Sequence, residues 1–101
     1  MINLKLNNNL IDDFNNNGFL IIDKFIDLKY LNILRDRFEP LFRGEFETGI
    51  EPDEWNWKFG KNPIDVTRQI CNAWKSDNLI RKFVCHKIVG QSCSNLMNWN
   101  G

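Results

Sequence analysis

The 101-residue chain lacks most of the patterns by which a function is inferred from a sequence. Its 13 basic and 13 acidic side chains cancel, so there is no positive excess to bind nucleic acid. No apolar run approaches the roughly 18 residues that a membrane helix needs. The N-terminus MINLKLNNNLIDDF also lacks the apolar core of a signal peptide. We therefore expect a cytoplasmic protein with neither a nucleic-acid nor a membrane partner.

Cysteine and histidine, the usual soft metal ligands and nucleophiles, are scarce. Cys71, Cys85 and Cys93 form no C-x-x-C pair, which excludes a zinc knuckle, and their odd number argues against a disulfide framework. His86 is the only histidine, so the chain cannot supply a site of two histidines and one carboxylate. We expect His86 in a turn or at a helix N-cap. A nucleophile pair of Cys71 or Cys93 with His86 stays open.

Apolar periodicity predicts two helices and a strand in the first forty residues. Residues 9–17 form the first helix, with Asn9 as its N-cap and Gly18 as its stop. The apolar residues 19–22 are too few for a helix and predict a buried strand. A longer helix begins after Asp27 and ends or kinks before Pro40. Its apolar face repeats at helical spacing, through Leu28, Leu31, Leu34 and Phe38.

Two more helices are predicted near the end of the chain. Ser76 or Asp77 caps the first, and the second follows a break at Cys85 and His86. We expect the buried side of the second helix to comprise Ile88, Val89, Leu96 and Met97.

Residues 43–63 form a long connection with three glycines, two prolines and several acids. Trp55, Trp57 and Phe59 argue against disorder, because docked aromatic rings bury large areas, and they alternate as in a short strand. The acids within residues 45–54 do not have the spacing of a calcium loop. We expect a solvated loop that tryptophans hold in place.

The tract TRQICNAWKSD, residues 67–77, has two interpretations. In the first it is a packing element, with apolar side chains inside and charged ones in solvent: Ile70, Ala73 and Trp74 against Arg68, Lys75 and Asp77. In the second, Arg68, Asn72 and Lys75 line a polar pocket beside Trp74. A cation next to an aromatic wall suits a carboxylate or phosphate ligand.

Three stretches taken together resemble the N-terminal part of phytanoyl-CoA dioxygenase family proteins. They are NNNGFLIIDKFID, then LRDRFEPLFRGEFETGIEPDEWNW after a leucine-spaced helix, then DVTRQICNAWKSDNLIRKFVCHKIVG. The resemblance extends from about Leu10 to Gly101, and residues 43–77 carry its most distinctive pattern. It implies a non-haem iron(II) oxygenase that uses 2-oxoglutarate to oxidise a small-molecule substrate, on a double-stranded β-helix or jelly roll.

The chain departs from that family where catalysis is concerned. The family's His-x-Asp motif and its later histidine and arginine fall beyond the matched region, so no catalytic, cofactor or iron-binding residue carries over. We expect no cofactor for this chain alone, although the family uses Fe(II) and 2-oxoglutarate. The expected fold is a helix-rich α+β segment, residues 1–101, with a few short strands and without the barrel core.

The resemblance implies an N-terminal fragment or truncated member of the family that is not catalytically competent alone. In that interpretation Arg68, Asn72 and Trp74 face the absent barrel. The alternative is a stand-alone helical interaction module. It would associate with itself or a partner through exposed apolar faces, since large exposed apolar patches usually mark interfaces.

Overall fold

The computed structural model describes residue 2 and residues 4–100, and it is helix-rich α+β as predicted. The described residues form two compact units. The terminal unit comprises residues 2, 4–31 and 85–100, and the central unit comprises Asn32–Val84. In chain order the elements are α1 (Asn8–Asn17), α2 (Leu28–Asp36), α3 (Phe38–Phe42), β1 (Glu54–Trp55), β2 (Ile70–Cys71), a 3₁₀ turn (Ala73–Lys75), α4 (Asn78–Val84) and α5 (Lys87–Met97). None of these described helices has the length and apolarity to cross a membrane.

In the terminal unit, α1 packs against α5. The Asn7 side chain caps α1 by accepting a hydrogen bond from the Leu10 amide at 2.9 Å. The predicted cap at Asn9 was therefore two residues too late, in a run of three asparagines that are all good caps. The predicted stop at Gly18 is confirmed, because Gly18 has φ +77° and donates its N–H to the Phe14 carbonyl.

Helix α5 begins directly after His86, the residue that was predicted to lie in a turn or at a helix N-cap. The His86 Nδ1 atom accepts a hydrogen bond from the Ile88 amide at 3.2 Å, which confirms that expectation. The buried residues of α5 are Ser92 and Ser94, whose hydroxyls donate to the carbonyls of Ile88 and Trp99. Of the side predicted to be buried, Met97 is exposed and Ile88, Val89 and Leu96 are half-buried.

The predicted buried strand at residues 19–22 is wrong. These residues form neither helix nor strand, and the side chains of Phe19 and Ile21 are exposed. The apolar run identified an extended, hydrophobic segment, but pairing needs a second strand, and none lies beside it among the described residues. The one β-bridge described in this unit joins Ile2 to Ile26.

Helix α2 begins as predicted, since the Asp27 carboxylate accepts the Tyr30 amide at 2.7 Å. The chain turns at Arg37 and continues as α3, so the break precedes Pro40 by three residues and places that proline in the first turn of α3. The predicted apolar face is only partly covered: Leu34 is buried, whereas Leu28, Leu31 and Phe38 are exposed.

The central unit has one sheet, in which β1 and β2 pair antiparallel with Trp55 opposite Ile70. Its buried apolar residues include Leu34, Leu41, Trp57 and Ile80. Trp57 is 2% exposed, packs edge-on against Phe42 with ring centroids 6.0 Å apart, and donates its indole N–H to the Pro63 carbonyl at 2.6 Å. The long connection is therefore folded around a tryptophan, as predicted.

A second tryptophan, Trp55, packs against the first residues of the same connection. Trp55 packs edge-on against Phe46, with centroids 5.2 Å apart, and Lys58 lies over its ring at 5.0 Å. Gly44 has φ +82°, and a Cβ at this position would lie 2.7 Å from the Trp55 ring. Any other residue there would strain the backbone and collide with the indole.

We expect Trp57→Ala to lower the free energy of unfolding by about 3–5 kcal/mol, because it empties a buried site and removes an indole hydrogen bond. Urea titration followed by circular dichroism measures this. Trp99→Ala is the matched control, since Trp99 is 64% exposed and the change there should cost little. Equal losses in the two variants would show that Trp57 does not organise the central unit.

Candidate functional site

The candidate site is the tract of residues 67–77, and its backbone is fixed by pairing with the long connection. The Asp53 amide donates to the Cys71 carbonyl and the Asn56 amide to the Gln69 carbonyl, both at 3.0 Å. Asn72 then takes a left-handed conformation, φ 60° and ψ 43°, which turns the chain from β2 into the 3₁₀ turn. Asparagine tolerates this conformation better than most residues.

Asp77, which ends the tract, is fully buried. Its Oδ2 accepts from two nitrogens of Arg37, Nε at 2.8 Å and Nη2 at 2.7 Å. Its Oδ1 accepts the amides of Leu79 and Ile80 at 3.0 and 3.1 Å, which makes it the N-cap of α4. The prediction that Asp77 caps this helix is confirmed, and the prediction that it stays in solvent is wrong.

Arg37 is the partner that makes burial of this carboxylate possible. The hydrogen bonds to Asp77 raise the pKa of the Arg37 guanidinium above its ordinary value, and the nearby charges of Asp77 and Glu47 add to that rise against a partial loss of solvation. The arginine therefore stays charged at neutral pH. Glu47 lies 3.7 Å from the same Nη2 atom.

Ser76 binds the tract to the loop that precedes β1. Its buried hydroxyl donates to the Ile50 carbonyl at 2.6 Å, and its carbonyl accepts the Thr48 amide at 3.2 Å. The Thr48 hydroxyl in turn donates to the Lys75 carbonyl at 2.6 Å. These bonds satisfy polar groups that would otherwise be buried without partners, so they hold the loop in one position.

Arg68 is used for packing. Its guanidinium carbon lies 3.9 Å from the centroid of the Trp57 ring and 5.4 Å from that of Phe42. One nitrogen also forms an ion pair with Glu39 at 2.8 Å. A planar guanidinium can stack and pair simultaneously, which a lysine could not do as well. The charge of Arg68 is thus already matched within the central unit.

Asn72, Trp74 and Lys75 meet at the surface, together with Asp53. The Trp74 indole donates to Asn72 Oδ1 at 3.0 Å, Asn72 donates its amide to Asp53 Oδ2, and Lys75 Nζ lies 2.6 Å from Asp53 Oδ1. The hydrogen bond from Lys75, followed by that from Asn72, lowers the pKa of the Asp53 carboxyl below its ordinary value. Asp53 was not recognised in the sequence as a partner of this tract, because the pairing joins residues 22 apart.

The structure thus divides the residues proposed for a polar pocket. Asn72, Trp74 and Lys75 come together as expected, but Asn72 and Lys75 already donate to Asp53, and Trp74 donates to Asn72. Arg68 instead contacts Trp57, Phe42 and Glu39. The packing interpretation accounts for more of these contacts than the pocket does. Whether Arg68, Asn72 and Trp74 also face a barrel stays a prediction.

A shallow groove of about 380 Å³ lies beside the Arg37–Asp77 pair. Its lining residues are Arg37, Glu47, Asn78, Leu79 and Lys82. Glu47 offsets one of the two cations, and its carboxylate also accepts the Asn78 amide at 3.3 Å. The groove therefore offers no concentrated charge for an anion.

The remaining candidate chemistry involves metal ligands and thiols. In residues 2 and 4–100, no three His, Cys, Asp or Glu side chains are grouped closely enough to hold a metal ion. Cys71, Cys85 and Cys93 are free thiols, and Cys71 Sγ lies 3.4 Å from Glu54. The Nδ1 atom of His86 is engaged as a helix cap, and a pairing of His86 with Cys71 or Cys93 stays a prediction.

We expect Asp77→Asn to lower the free energy of unfolding by about 2 kcal/mol, less than for a fully buried pair because Arg37 is about one-third exposed. The amide can still cap α4 but no longer neutralises Arg37. Urea titration measures the change. Asp65→Asn, at an exposed position of the central unit, is the control and should be within error of the wild type. A stability loss no larger than that of the control would show that the Arg37–Asp77 pair does not stabilise the fold.

The Asp53 carboxyl should titrate below the ordinary aspartate range in the wild type, and Lys75→Met should move its titration midpoint upward. Because the folded pKa is lowered, this group stabilises the fold above about pH 4, and the contribution disappears as the pH falls through the folded pKa. Carboxyl chemical shifts in an NMR titration measure the midpoint. Lys61→Met, at another exposed lysine, should leave it unchanged, and an unchanged midpoint in Lys75→Met would exclude the pairing.

The comparisons with known proteins add no further assignment. No family model, no curated protein and no solved structure matches this chain. The functional argument therefore rests on the residues and contacts described above and on the resemblance of the three sequence stretches.

Proposed function

We propose that this chain is the N-terminal, non-catalytic flank of a phytanoyl-CoA dioxygenase-like iron(II)/2-oxoglutarate oxygenase, as a fragment or a truncated member. In the full-length family the activity would be hydroxylation of a small-molecule substrate on a jelly-roll barrel. The flank would contribute by packing on that barrel. The resemblance of residues 43–77 supports the family, and the way this tract uses its polar residues supports a packing role.

The residues of this chain do not fit an iron site of the family's type. Such a site needs two histidines and one carboxylate with open positions for the cosubstrate and dioxygen. His86 is the only histidine, and the amide of Ile88 already occupies its Nδ1 atom. No step of an oxygenase reaction is therefore assigned to any residue here.

The observation that carries the proposal is the amount of apolar surface left uncovered. Leu28 is 71% exposed and Ile64 is 77% exposed, although both are large aliphatic residues in a chain of 101. Large exposed apolar patches usually mark sites of association. Large apolar side chains that are exposed in the described part of the chain are Phe19, Ile21, Leu28, Leu31, Ile33, Phe38, Ile50, Phe59, Ile64, Val66, Val84, Met97 and Trp99.

The same observation supports the second candidate, a stand-alone interaction module that never joins an oxygenase barrel. The two proposals agree that the chain is inactive alone and that its apolar surface is a contact surface. The two proposals predict different coding sequences downstream of the Gly101 codon. A barrel with a His-x-Asp pattern is required by the first proposal and has no place in the second.

Our expectation is that the chain with Fe(II), 2-oxoglutarate and ascorbate under air forms no succinate above the protein-free blank, and binds no stoichiometric iron under anaerobic titration. Tight iron binding accompanied by 2-oxoglutarate turnover would overturn the assignment of a non-catalytic segment.

Family membership is tested by reading the genomic DNA downstream of the Gly101 codon. We expect His-x-Asp codons and a later histidine codon there, in frame for a fragment or displaced for a truncated member. If no frame contains that pattern over the length of a barrel, the family proposal fails and the interaction module remains.

A further inference from the structure

We propose that Asn17 is a site of spontaneous deamidation that helix α1 controls: the intact helix suppresses the reaction, and the product weakens the helix. The inference concerns α1 and its two caps and is independent of the proposed oxygenase family. Three observations carry it: the sequence Asn17–Gly18, the hydrogen bond that engages the Gly18 amide, and the composition of α1.

Deamidation at this position needs only groups of the chain itself and water. The backbone nitrogen of Gly18 attacks the side-chain carbonyl carbon of Asn17, so that a C–N bond forms. The side-chain nitrogen leaves as ammonia and takes up, through solvent, the proton that Gly18 loses. Water then opens the cyclic imide at either carbonyl, giving aspartate or isoaspartate without any oxidant or reductant. Glycine favours the attack, because it has no Cβ to obstruct the approach of its backbone, and both residues are exposed to water.

The folded helix withholds the Gly18 amide from this reaction. Asn17 is the last residue of α1, and the Gly18 N–H donates to the Phe14 carbonyl at 2.8 Å as part of the C-cap. Before the ring can close, the Gly18 nitrogen must leave Phe14 and the Asn17 backbone must rotate out of its helical conformation. The reaction therefore proceeds through openings of the last turn, and its rate follows the fraction of time for which that turn is open.

Helix α1 has the features of a helix that opens readily. It is ten residues long, and none of these residues is buried within the described part of the chain. Its sequence NNLIDDFNNN contains five asparagines and two aspartates, which are weak helix formers, and isolated helices of this length are marginal in water. Its first turn is capped by Asn7, whose side chain accepts the Leu10 amide. Loss of that cap should therefore open the whole helix more often.

The product places a negative charge at the end of α1 where it is least favourable. The C-terminus of a helix carries a partial negative charge, and the last turn of α1 contains no basic residue. Asp13 lies one helical turn before Asn17, so an aspartate at position 17 would create a like-charge pair on one face of the helix. Isoaspartate also lengthens the backbone by one carbon, which displaces Gly18 from its capping position. Either product should weaken α1 and its packing against α5.

The experiment follows deamidation of the purified 101-residue chain by peptide mass spectrometry at physiological temperature and pH. Peptide mapping separates Asn17 from Asn100, which also precedes a glycine in the sequence. We expect Asn17 to react at least about tenfold more slowly in the native chain than in the chain unfolded by guanidinium, because the closed helix protects it. Asn17→Gln is the chemical control and should form negligible acid at this position, since glutamine cyclises far more slowly.

A matched pair of alanine variants tests control by the helix. Asn7→Ala removes the N-cap and should speed deamidation of Asn17 by about fivefold, although the two residues lie at opposite ends of α1. Asn8→Ala is the control, because the Asn8 side chain makes no hydrogen bond within the described structure, and it should not speed the reaction. If Asn7→Ala unfolds α1 altogether, the rate should rise to that of the unfolded chain, which the proposal also requires.

A second pair of variants tests the effect of the product. Asn17→Asp should lower the helix content measured by circular dichroism and the midpoint of thermal unfolding. Asn7→Asp introduces the same charge at the opposite end, where it keeps the cap and suits the helix dipole, so it should lower neither. Equal rates in the native and unfolded chains, equal rates in Asn7→Ala and Asn8→Ala, or an Asn17→Asp variant as stable as Asn7→Asp would each overturn the proposal.

Discussion

The central unit depends on the hydrogen bonds that the buried carboxylate of Asp77 accepts from Arg37 and from the first amides of α4. One oxygen binds the guanidinium of Arg37 at the end of α2, and the other caps α4. Asp77 and Arg37 are 40 residues apart in sequence, so this side chain links the end of α2 to the start of α4. Leaving such a carboxylate buried without its arginine would cost several kcal/mol, so α2 and α4 must adopt their positions together.

The residues on either side of Asp77 extend this constraint to the long connection. Ser76 and Lys75 hold the backbone near Thr48 and Ile50, and β2 holds the backbone on either side of β1. Trp57 then fills the interior, with Arg68 stacked on one face of its ring. The mixed composition of TRQICNAWKSD follows from these contacts. Polar residues such as Arg68, Asn72 and Asp77 each bind a particular partner, so no amphipathic period is needed.

Much of the local structure could be predicted because caps depend on neighbouring residues. Asp27, Asp77 and His86 each accept an amide two or three residues ahead, and Gly18 ends α1 for a reason that lies in its own backbone. Features that depend on distant residues could not be predicted. The hydrophobicity of residues 19–22 indicated a strand. It could not indicate that no second strand pairs with them among the described residues.

The candidate site shows the same division. The sequence indicated that Asn72, Trp74 and Lys75 belong together, since they lie within one turn of chain. It could not indicate that Asn72 and Lys75 would donate to Asp53, or that Arg68 would stack on Trp57, because these contacts join distant parts of the sequence. The tract was therefore open to a ligand-binding interpretation until its partners were located.

The polar tract of residues 67–77 has a structural role, although large apolar side chains elsewhere in the chain are exposed. Polar side chains of this tract such as Asn72, Ser76 and Asp77 are matched within the central unit, whereas Phe19, Leu28 and Ile64 are exposed. The charged side chains of this tract thus keep the loops of the central unit in place.

Native-state hydrogen exchange in Asp77→Asn tests the central claim most directly. If Asp77 organises the central unit, the amides of Thr48, Asp53 and Asn56 should lose protection along with those of Leu79 and Ile80, although none of the first three touches the carboxylate. If protection falls only at Leu79 and Ile80, Asp77 is a helix cap alone, and the account of the central unit is contradicted.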